Sequence, residues 1–394
     1  MNSHDQPPPQ PPLPTTKTTP PPTTTTKTTT KKHYTTLLTL NYASLFIGSI
    51  TSSLLAKFYF IHKGSSKWVS TIVQSVGFPL LLIPIFIPYF LNFTTRKPFT
   101  KFTKKLLFLS IIIGSFLGLN NLLFSWGTSY LPVSTSSLLL STQLAFTLIL
   151  SWLIVKQKIN FLNLNCVVLL TLSSILLGLS SSHDRPKGVT EAMYFIGYGC
   201  TIGAGLLFSL YLPIMEKVYR FQLAFQFSAT FSSFSYLFRE VYCYEMVIEM
   251  QLIMEIAATA LATVGMAADG GFRDMRQEFS QKFDLGSKMY TLTIIANIVC
   301  WQLCFMGTAG MVFLTTSLTG GVCMTALLAM NVVGGVVVYG DEFGGVKVVS
   351  TVLCAWGFCS YVYGMYVKQK IIEAENGEND SGEMDMSRVT ADNV

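Results

Sequence analysis

The stretch that decides the fold is WGTSYLPVSTSSLLLSTQLAFTLILSWLIVKQK, residues 126–158. Its apolar run follows Pro132, contains no charged residue, and ends abruptly at Lys156 and Lys158. A related pattern returns as FMGTAGMVFLTTSLTGGVCMTALLAMNVVGGVVVYGDEFGG, residues 305–345. In both stretches a segment rich in small and hydroxyl residues leads to a long apolar run and then to charges. This repetition predicts two related halves of a protein that crosses a membrane several times.

The composition agrees with a membrane protein. Of the 394 residues, 50% are hydrophobic and only 12% are charged, whereas charged residues make up about 25% of soluble proteins. The apolar residues form runs of about 20, enough for a helix to cross a hydrocarbon core about 30 Å thick. These runs are too long for the strands of a transmembrane barrel, and they lack the alternation of such strands. We therefore expect an all-α polytopic membrane protein. Cytoplasmic loops account for the net charge of +6, so we expect contact with membrane lipid and no nucleic-acid partner.

The apolar runs predict ten transmembrane helices. With five in each half, the second half enters the membrane from the opposite face, which gives two inverted five-helix repeats of the kind common in secondary transporters. We place the first repeat at residues 34–192 and the second at 193–371. The ten spans lie near residues 37–60, 68–91, 106–128, 132–154, 161–180, 193–215, 246–267, 289–310, 313–338 and 347–367.

The two ends of the chain are polar. The Pro/Thr-rich segment 1–33 and the acidic segment 372–394 have too few apolar residues to form a core, so we expect both to be disordered. Lys and Arg are enriched on the cytoplasmic side of membrane proteins. Five of them lie between residues 96 and 105, in the loop that follows the second span. This excess predicts that both termini are cytoplasmic.

One stretch departs from the pattern of spans. Residues 221–238, FQLAFQFSATFSSFSYLF, carry no charge but contain many Ser, Thr and Gln residues. Arg220 and Arg239 flank the stretch like a duplicated junction. We interpret it as an atypical insertion in a short cytoplasmic loop: a loop, an interfacial helix or a translated intron.

Ionisable residues at membrane depth are functional candidates. Glu255 lies near the middle of the seventh span, and Gln251, four residues earlier, shares its helix face. Glu249 is nearer the helix start and points elsewhere, so we do not expect the two carboxyls to pair. Burial disfavours a charged carboxyl, so Glu255 could exchange a proton near physiological pH and couple transport to a proton gradient. Alternatively, it is permanently protonated and bonded to a neighbouring helix. Lys57, at the end of the first span, is expected to extend to the lipid headgroups.

Amides inside the spans are candidates for substrate contact. Asn297 lies four residues before Trp301, and Asn120 lies four residues before Phe124, so each pair shares a helix face. An aromatic plane beside an amide suits a flat nitrogen heterocycle, because the ring can stack while the amide fixes its orientation. The alternative is hydrogen bonding between helices, which many membrane amides perform. The other amides that we propose for substrate contact are Gln74, Gln143, Gln251 and Gln302.

The motifs of several enzyme classes are missing from the sequence. It contains no Walker motif, no plausible Ser/His/Asp site and no cysteines at metal-binding spacing. An ATP-driven pump and a hydrolase are therefore disfavoured. We expect no enzyme activity, no cofactor and no metal.

Several motifs together resemble those of the plant purine permeases, a family of the drug/metabolite transporter superfamily. They are WVSTIVQSVGFPLLLIP (68–84), YLPVSTSSLLLSTQLAFTLILSWLIVKQK (130–158), YEMVIEMQLIMEIAATALATVGM (244–266), WQLCFMGTAGMVFLTTSLTGG (301–321) and ALLAMNVVGGVVVYGDEFGGVKVVSTVLCAWGFCSYVYG (326–364). The resemblance implies ten helices and proton-coupled uptake of purine-like heterocycles at the plasma membrane. The substrates of the family include adenine, cytokinins and plant alkaloids.

The resemblance also bears on individual residues. The matching positions are Gln74, Gln143, Glu249, Gln251 and Gln302, and the family ranks Glu249 above Glu255 for proton coupling. The stretch 221–238 departs from the family pattern.

Three functions remain open from the sequence. We expect a secondary transporter that imports a small planar nitrogen heterocycle together with protons. The first alternative is an uptake permease for benzylisoquinoline-type or other plant alkaloids. The second alternative is a membrane scaffold or receptor that transports nothing.

Overall fold

A computed structural model describes residues 24–91, 97–100, 102–156, 188–227 and 236–360, with scattered residues between 161 and 176 and between 363 and 367. Every regular element in this part of the chain is helical. The helices are α1 (Thr24–Ile61), α2 (Lys67–Val73), α3 (Leu82–Phe90), α4 (Lys104–Tyr130), α5 (Val133–Leu140), α6 (Gln143–Val155), α7 (Glu191–Phe227), α8 (Tyr236–Ala268), α9 (Gly271–Gln277), α10 (Gly286–Leu314), α11 (Ser317–Tyr339) and α12 (Gly345–Ser360).

Eight segments of the described chain are long and apolar enough to cross a membrane. They match predicted spans one to four and six to nine. The fifth predicted span, residues 161–180, lies mostly outside the described residues, and the tenth is described as α12 up to Ser360. The eight segments are Tyr34–Ile61, Lys67–Phe90, Lys104–Tyr130, Val133–Val155, Glu191–Gln222, Tyr244–Ala268, Gly286–Leu314 and Ser317–Tyr339.

Two spans of the first half are each broken near the middle of the span. In the second span, a turn after α2 leads into a 3₁₀ helix, Phe78–Leu81, that contains Pro79, which has no backbone N–H to donate. In the fourth span, the hydroxyls of Ser141 and Thr142 donate to the carbonyls of the residues three positions earlier, at 2.6 and 2.7 Å. Such local bonds compete with regular helix bonds, so α5 ends and α6 begins here.

The predicted insertion at 221–238 falls at the junction of two helices. Residues 221–227 prolong α7, and residues 236–238 begin α8. Residues 228–235 lie outside the described part of the chain. The assignment of this stretch as an insertion stays a prediction.

The two halves of the chain pack mainly against each other. The most extensive contacts join α1 to α10, α4 to both α7 and α8, and α6 to α7. The α5 helix packs against α11, and α2 against α8. Because each of these pairs takes one helix from each half, the two halves share an extensive interface.

The α1–α10 pair is brought together by glycines. A methyl group at Gly307 would lie 2.6 Å from the Leu45 backbone N and 2.7 Å from the Asn41 backbone O. A methyl group at Gly48, on the other helix, would collide with the backbone of Cys304. Small residues at a helix interface allow such close approach of two backbones in membranes. Since the obstacle is backbone on both sides, rotation of a side chain cannot relieve it.

We predict that Gly307→Ala destabilises the protein by about 1–3 kcal/mol, the usual cost of overpacking a tight interface. Thermal unfolding of the purified protein in detergent measures the change. Gly199→Ala on α7 is the matched control, because a methyl group there would meet no atom within 4 Å among the described residues. Equal melting temperatures for the two variants would contradict close packing at Gly307.

Candidate functional site

A cavity of about 540 Å³, including its opening to solvent, lies between the two halves. Both helix breaks and five helices, α1, α4, α7, α10 and α11, contribute to its walls. The lining residues are Ser49, Ser53, Gln74, Asn120, Phe124, Leu140, Gln143, Ala204, Phe208, Trp301, Cys304, Phe305, Met324 and Leu328.

The cavity brings together part of the predicted substrate site. Gln74, Asn120, Gln143 and Trp301 all line it, although they come from four different spans. The other three substrate-contact candidates are buried outside this lining. They are Gln251, Asn297 and Gln302.

Aromatic rings form one wall of the cavity. The ring centroids of Phe124 and Trp301 lie 5.4 Å apart with an interplanar angle of 83°. Trp301 stacks on Phe305 at 5.5 Å and 27°. The sequence predicted two separate amide–aromatic pairs, on α4 and on α10, and their aromatic members meet here across the two halves. A flat ligand could therefore stack or make edge contacts on this wall.

Gln74 presents an acceptor at the first helix break. Its Nε2 lies 3.1 Å from Ser70 O, 3.1 Å from Asn121 O and 2.9 Å from Ser125 Oγ. Its Oε1 is buried and has no partner among the described residues. Since Nε2 is held against α4, Oε1 is the side-chain atom left to accept a hydrogen bond from a ligand.

Gln143 presents a donor at the second helix break. Its backbone O lies 2.6 Å from Ser209 Oγ of α7, whose hydroxyl is shared with Gly205 O at the same distance, so the start of α6 contacts the other half. Its Nε2 is buried and unpartnered within the described chain. Gln74 and Gln143 thus offer groups of opposite polarity, which is the pattern needed by a base that both donates and accepts.

Glu255 lies at the centre of a buried polar group behind the aromatic wall. It is fully buried, and its Oε1 accepts from Gln251 Nε2 at 2.9 Å and from Gln302 Nε2 at 3.2 Å. The Tyr211 hydroxyl donates to Gln251 Oε1 at 3.3 Å. The predicted shared face of Gln251 and Glu255 is confirmed. Gln302 directly follows Trp301, so this group is adjacent to the cavity without lining it.

Glu249 occupies a different environment from Glu255. It is also buried, but its Oε1 accepts from the Phe99 backbone N at 3.0 Å, in the turn that precedes α4. The two carboxyls do not pair, in agreement with the expectation from sequence. Glu249 instead fixes the loop between the second and third spans.

Glu278 is another buried carboxyl, outside the membrane-spanning segments, and sequence reasoning did not find it. Glu278 Oε1 accepts from Ser65 N at 2.8 Å, Ser65 Oγ at 2.9 Å and Ser66 N at 2.8 Å. Its Oε2 accepts from the Tyr59 hydroxyl at 2.6 Å. Glu278 belongs to the second half and its donors to the first, so one carboxyl ties the halves together. The polar segment RDMRQEFSQK gives no signal of this role.

The expectation for Lys57 was wrong. Rather than extending to the headgroups, its Nζ donates to Thr128 O at 3.1 Å and to Leu131 O at 2.7 Å. Carbonyls at the end of a helix lack partners within the helix, and a cation there also favours the helix dipole. Lys57 therefore caps the end of α4.

Comparisons with known proteins identify the family of this chain. A family model described as purine nucleobase transmembrane transport matches residues 36–371, which include the whole cavity lining. Three relatives come from Arabidopsis thaliana. Probable purine permease 4 is 62% identical over 336 residues, 83% of each chain. Probable purine permease 11 is 34% identical over 84% of this chain and 83% of its own. Purine permease 3 is 31% identical over 88% of this chain and 97% of its own. This multi-pass membrane protein therefore belongs to the purine permease family.

Proposed function

We propose that the protein imports purine nucleobases or related planar nitrogen heterocycles, cytokinins included, as a proton-coupled secondary transporter. The observation that carries this proposal is the cavity, where an aromatic wall lies beside two buried amides with free groups of opposite polarity. A flat base could stack on Trp301 while Gln74 Oε1 accepts from a ring N–H and Gln143 Nε2 donates to a ring nitrogen. Family membership supports the same substrate class.

We further propose ten helices in two inverted five-helix repeats. Four of the contacts between the halves support this architecture because they form a reciprocal set. The first span packs on the eighth and the third on the sixth, which are the third and first spans of the second half. The second span contacts the seventh, and the fourth contacts the ninth. A pseudo-two-fold axis in the membrane plane produces such reciprocal pairs, and transporters of this kind bind substrate at the repeat interface.

Gln143→Leu tests the cavity as the substrate site. An unsatisfied buried hydrogen-bonding group costs about 1–3 kcal/mol, so we expect KM for adenine to rise about 5- to 150-fold. Initial rates of radiolabelled adenine uptake in a yeast lacking its own purine permease give KM, at matched surface expression. Gln222→Leu removes a buried amide of α7 that is outside the cavity lining and should leave KM unchanged. An unchanged KM in Gln143→Leu would contradict this site.

Glu255 is the better candidate for the proton site. Its charged form would place a negative charge among membrane spans, where only two amide donors face it and Oε2 has no partner within the described residues. Its protonated form is neutral, so gain or loss of one proton changes the electrostatics beside the cavity. Glu249 contacts a loop instead.

We therefore predict that Glu255→Gln makes uptake insensitive to pH. Uptake by the unaltered protein should increase as external pH falls, because an inward proton gradient then drives import. Glu255→Gln should abolish this increase and the effect of an uncoupler, whereas Glu249→Gln should retain both. Initial uptake rates at two pH values measure the difference. The opposite result, with only Glu249→Gln insensitive to pH, would assign coupling to Glu249, as the family resemblance implies.

Alternating access also requires contacts between the halves that open and close. We assign closure of the outer end to Glu278, whose four donors all belong to the first half. The orientation is supported by the course of α4, which begins after the basic loop and ends, at Tyr130, beside the end of α1. Both termini are then cytoplasmic, and the plasma membrane is the proposed location.

Glu278→Gln should open this outer end, because the amide nitrogen that replaces Oε2 cannot accept the hydrogen bond from the Tyr59 hydroxyl. Cys304 lines the cavity and reports on access to it. With the other seven cysteines replaced by serine, we expect a membrane-impermeant thiol reagent to label Cys304 at least several times faster in Glu278→Gln. Asp284→Asn is the control, since its 2.9 Å bond to His62 is partly exposed. Equal labelling of Cys304 in both variants would contradict the assignment.

The main alternative is uptake of bulky plant alkaloids. Competition of unlabelled alkaloid against radiolabelled adenine distinguishes the two substrates in the same cells. The alkaloid permease would be favoured if a benzylisoquinoline inhibited uptake of radiolabelled adenine at concentrations where unlabelled adenine does not. Absence of uptake of any heterocycle would favour the non-transporting scaffold or receptor.

A further inference from the structure

A pair of polar side chains from the two halves meets at the edge of the cavity. Ser53 of α1 lines the cavity and is partly buried. Asn331 of α11 is 1% exposed, and its Nδ2 donates to Ser53 Oγ at 3.2 Å. Leu328, about one helical turn earlier on α11, is also in the lining. Asn331 thus stands directly behind the cavity wall and reaches it through Ser53.

The hydroxyl of Ser53 has a proton left to donate. A hydroxyl carries one donor and two acceptor sites, and one acceptor site is filled by Asn331. Within the described chain, no side chain or carbonyl accepts the Ser53 proton. Its neighbours differ: Ser52 donates to Ser49 O at 3.2 Å, and Ser49 shares a hydrogen bond with Cys304. Ser53 is therefore the serine of this helix turn that can donate into the cavity.

We propose that Ser53, oriented by Asn331, donates a hydrogen bond to an unprotonated ring nitrogen of the substrate and so determines specificity among heterocycles. This inference rests on the proposed function, because it concerns the substrate of the same cavity. Ser53 is the contact residue. Asn331 is a positioning residue, because it acts through Ser53.

The polarity of the cavity fits such a substrate. Its other buried free donors are Gln143 Nε2 and Trp301 Nε1, and its buried free acceptor is Gln74 Oε1, among the described lining residues. With Ser53, the cavity presents at least three free donors. Adenine has three ring nitrogens with in-plane lone pairs, so it can satisfy several donors at once. A substrate with C–H in place of the nitrogen at Ser53 would leave a donor unpaired, and this kind of mismatch gives strong discrimination.

The test compares adenine with 1-deaza-, 3-deaza- and 7-deazaadenine as competitors of radiolabelled adenine uptake in the permease-deficient yeast. In the unaltered protein, we expect at least one analogue to compete about tenfold less well than adenine, a ratio that corresponds to about 1.4 kcal/mol. For each analogue, we compare its inhibition constant with that of adenine. In Ser53→Ala, this ratio should fall close to one for one such analogue, and the ratios for the other two should stay the same. Ser53→Cys, with a weaker donor, should give an intermediate ratio.

Two further variants separate recognition from packing. Asn331→Leu retains the Ser53 hydroxyl but removes its partner, so it should lower the ratio for that same analogue and no other. Ser52→Ala removes an adjacent hydroxyl that is outside the cavity lining and should leave all three ratios unchanged. A general loss of stability would reduce the maximal rate without changing any ratio.

Two results would overturn the inference. One is equal competition by all three analogues and adenine in the unaltered protein. The other is full retention of every ratio in Ser53→Ala. Both results leave adenine uptake intact, so the proposed function would stand. If the unaltered protein transports no adenine at all, the proposed function fails before Ser53 is tested.

Discussion

A backbone that leaves its helix inside a membrane must find hydrogen-bond partners within the protein, because the lipid offers none. This constraint governs the central part of the molecule. The second and fourth spans both break. At the break in the fourth span, the Leu138 and Leu139 carbonyls accept from the hydroxyls of Ser141 and Thr142, and Ser209 Oγ of α7 lies 2.6 Å from Gln143 O. The backbone at each break is shielded from lipid by packing against the opposite half. Gln74 and Gln143 lie at these breaks, and both line the cavity.

Four glutamates of the described residues are buried, and three of them, Glu249, Glu255 and Glu278, have surroundings that separate their roles. Glu255 is held by amides from α8 and α10 beside the aromatic wall. Glu249 accepts from the loop that precedes α4. Glu278 lies outside the spans and accepts from neutral donors of the opposite half. We therefore assign Glu249, which binds one loop, a structural role. Glu278, which bridges the two halves, is assigned to the gate. Glu255, which lies next to the proposed substrate site, is assigned to proton coupling.

The sequence was sufficient for the outline of the fold and for part of the site. Apolar runs of membrane-spanning length identified the helices, and intramembrane polarity identified Gln74, Asn120, Gln143 and Trp301, which all reach the cavity. The helix breaks were missed because Ser and Thr residues within an apolar run are compatible with both a continuous and a broken helix. Glu278 and Lys57 were missed because their partners lie more than 70 residues away in sequence. Long-range contacts of this kind follow from packing between the halves, which no local pattern encodes.

The central claim is that a purine base binds between the aromatic wall and the two amides at the helix breaks. An experimental structure of the protein with bound adenine tests it most directly. The account predicts density for the base against Trp301, within hydrogen-bond distance of Gln74 Oε1 and Gln143 Nε2. Density for adenine elsewhere in the protein, with both amides still unpartnered, would contradict it.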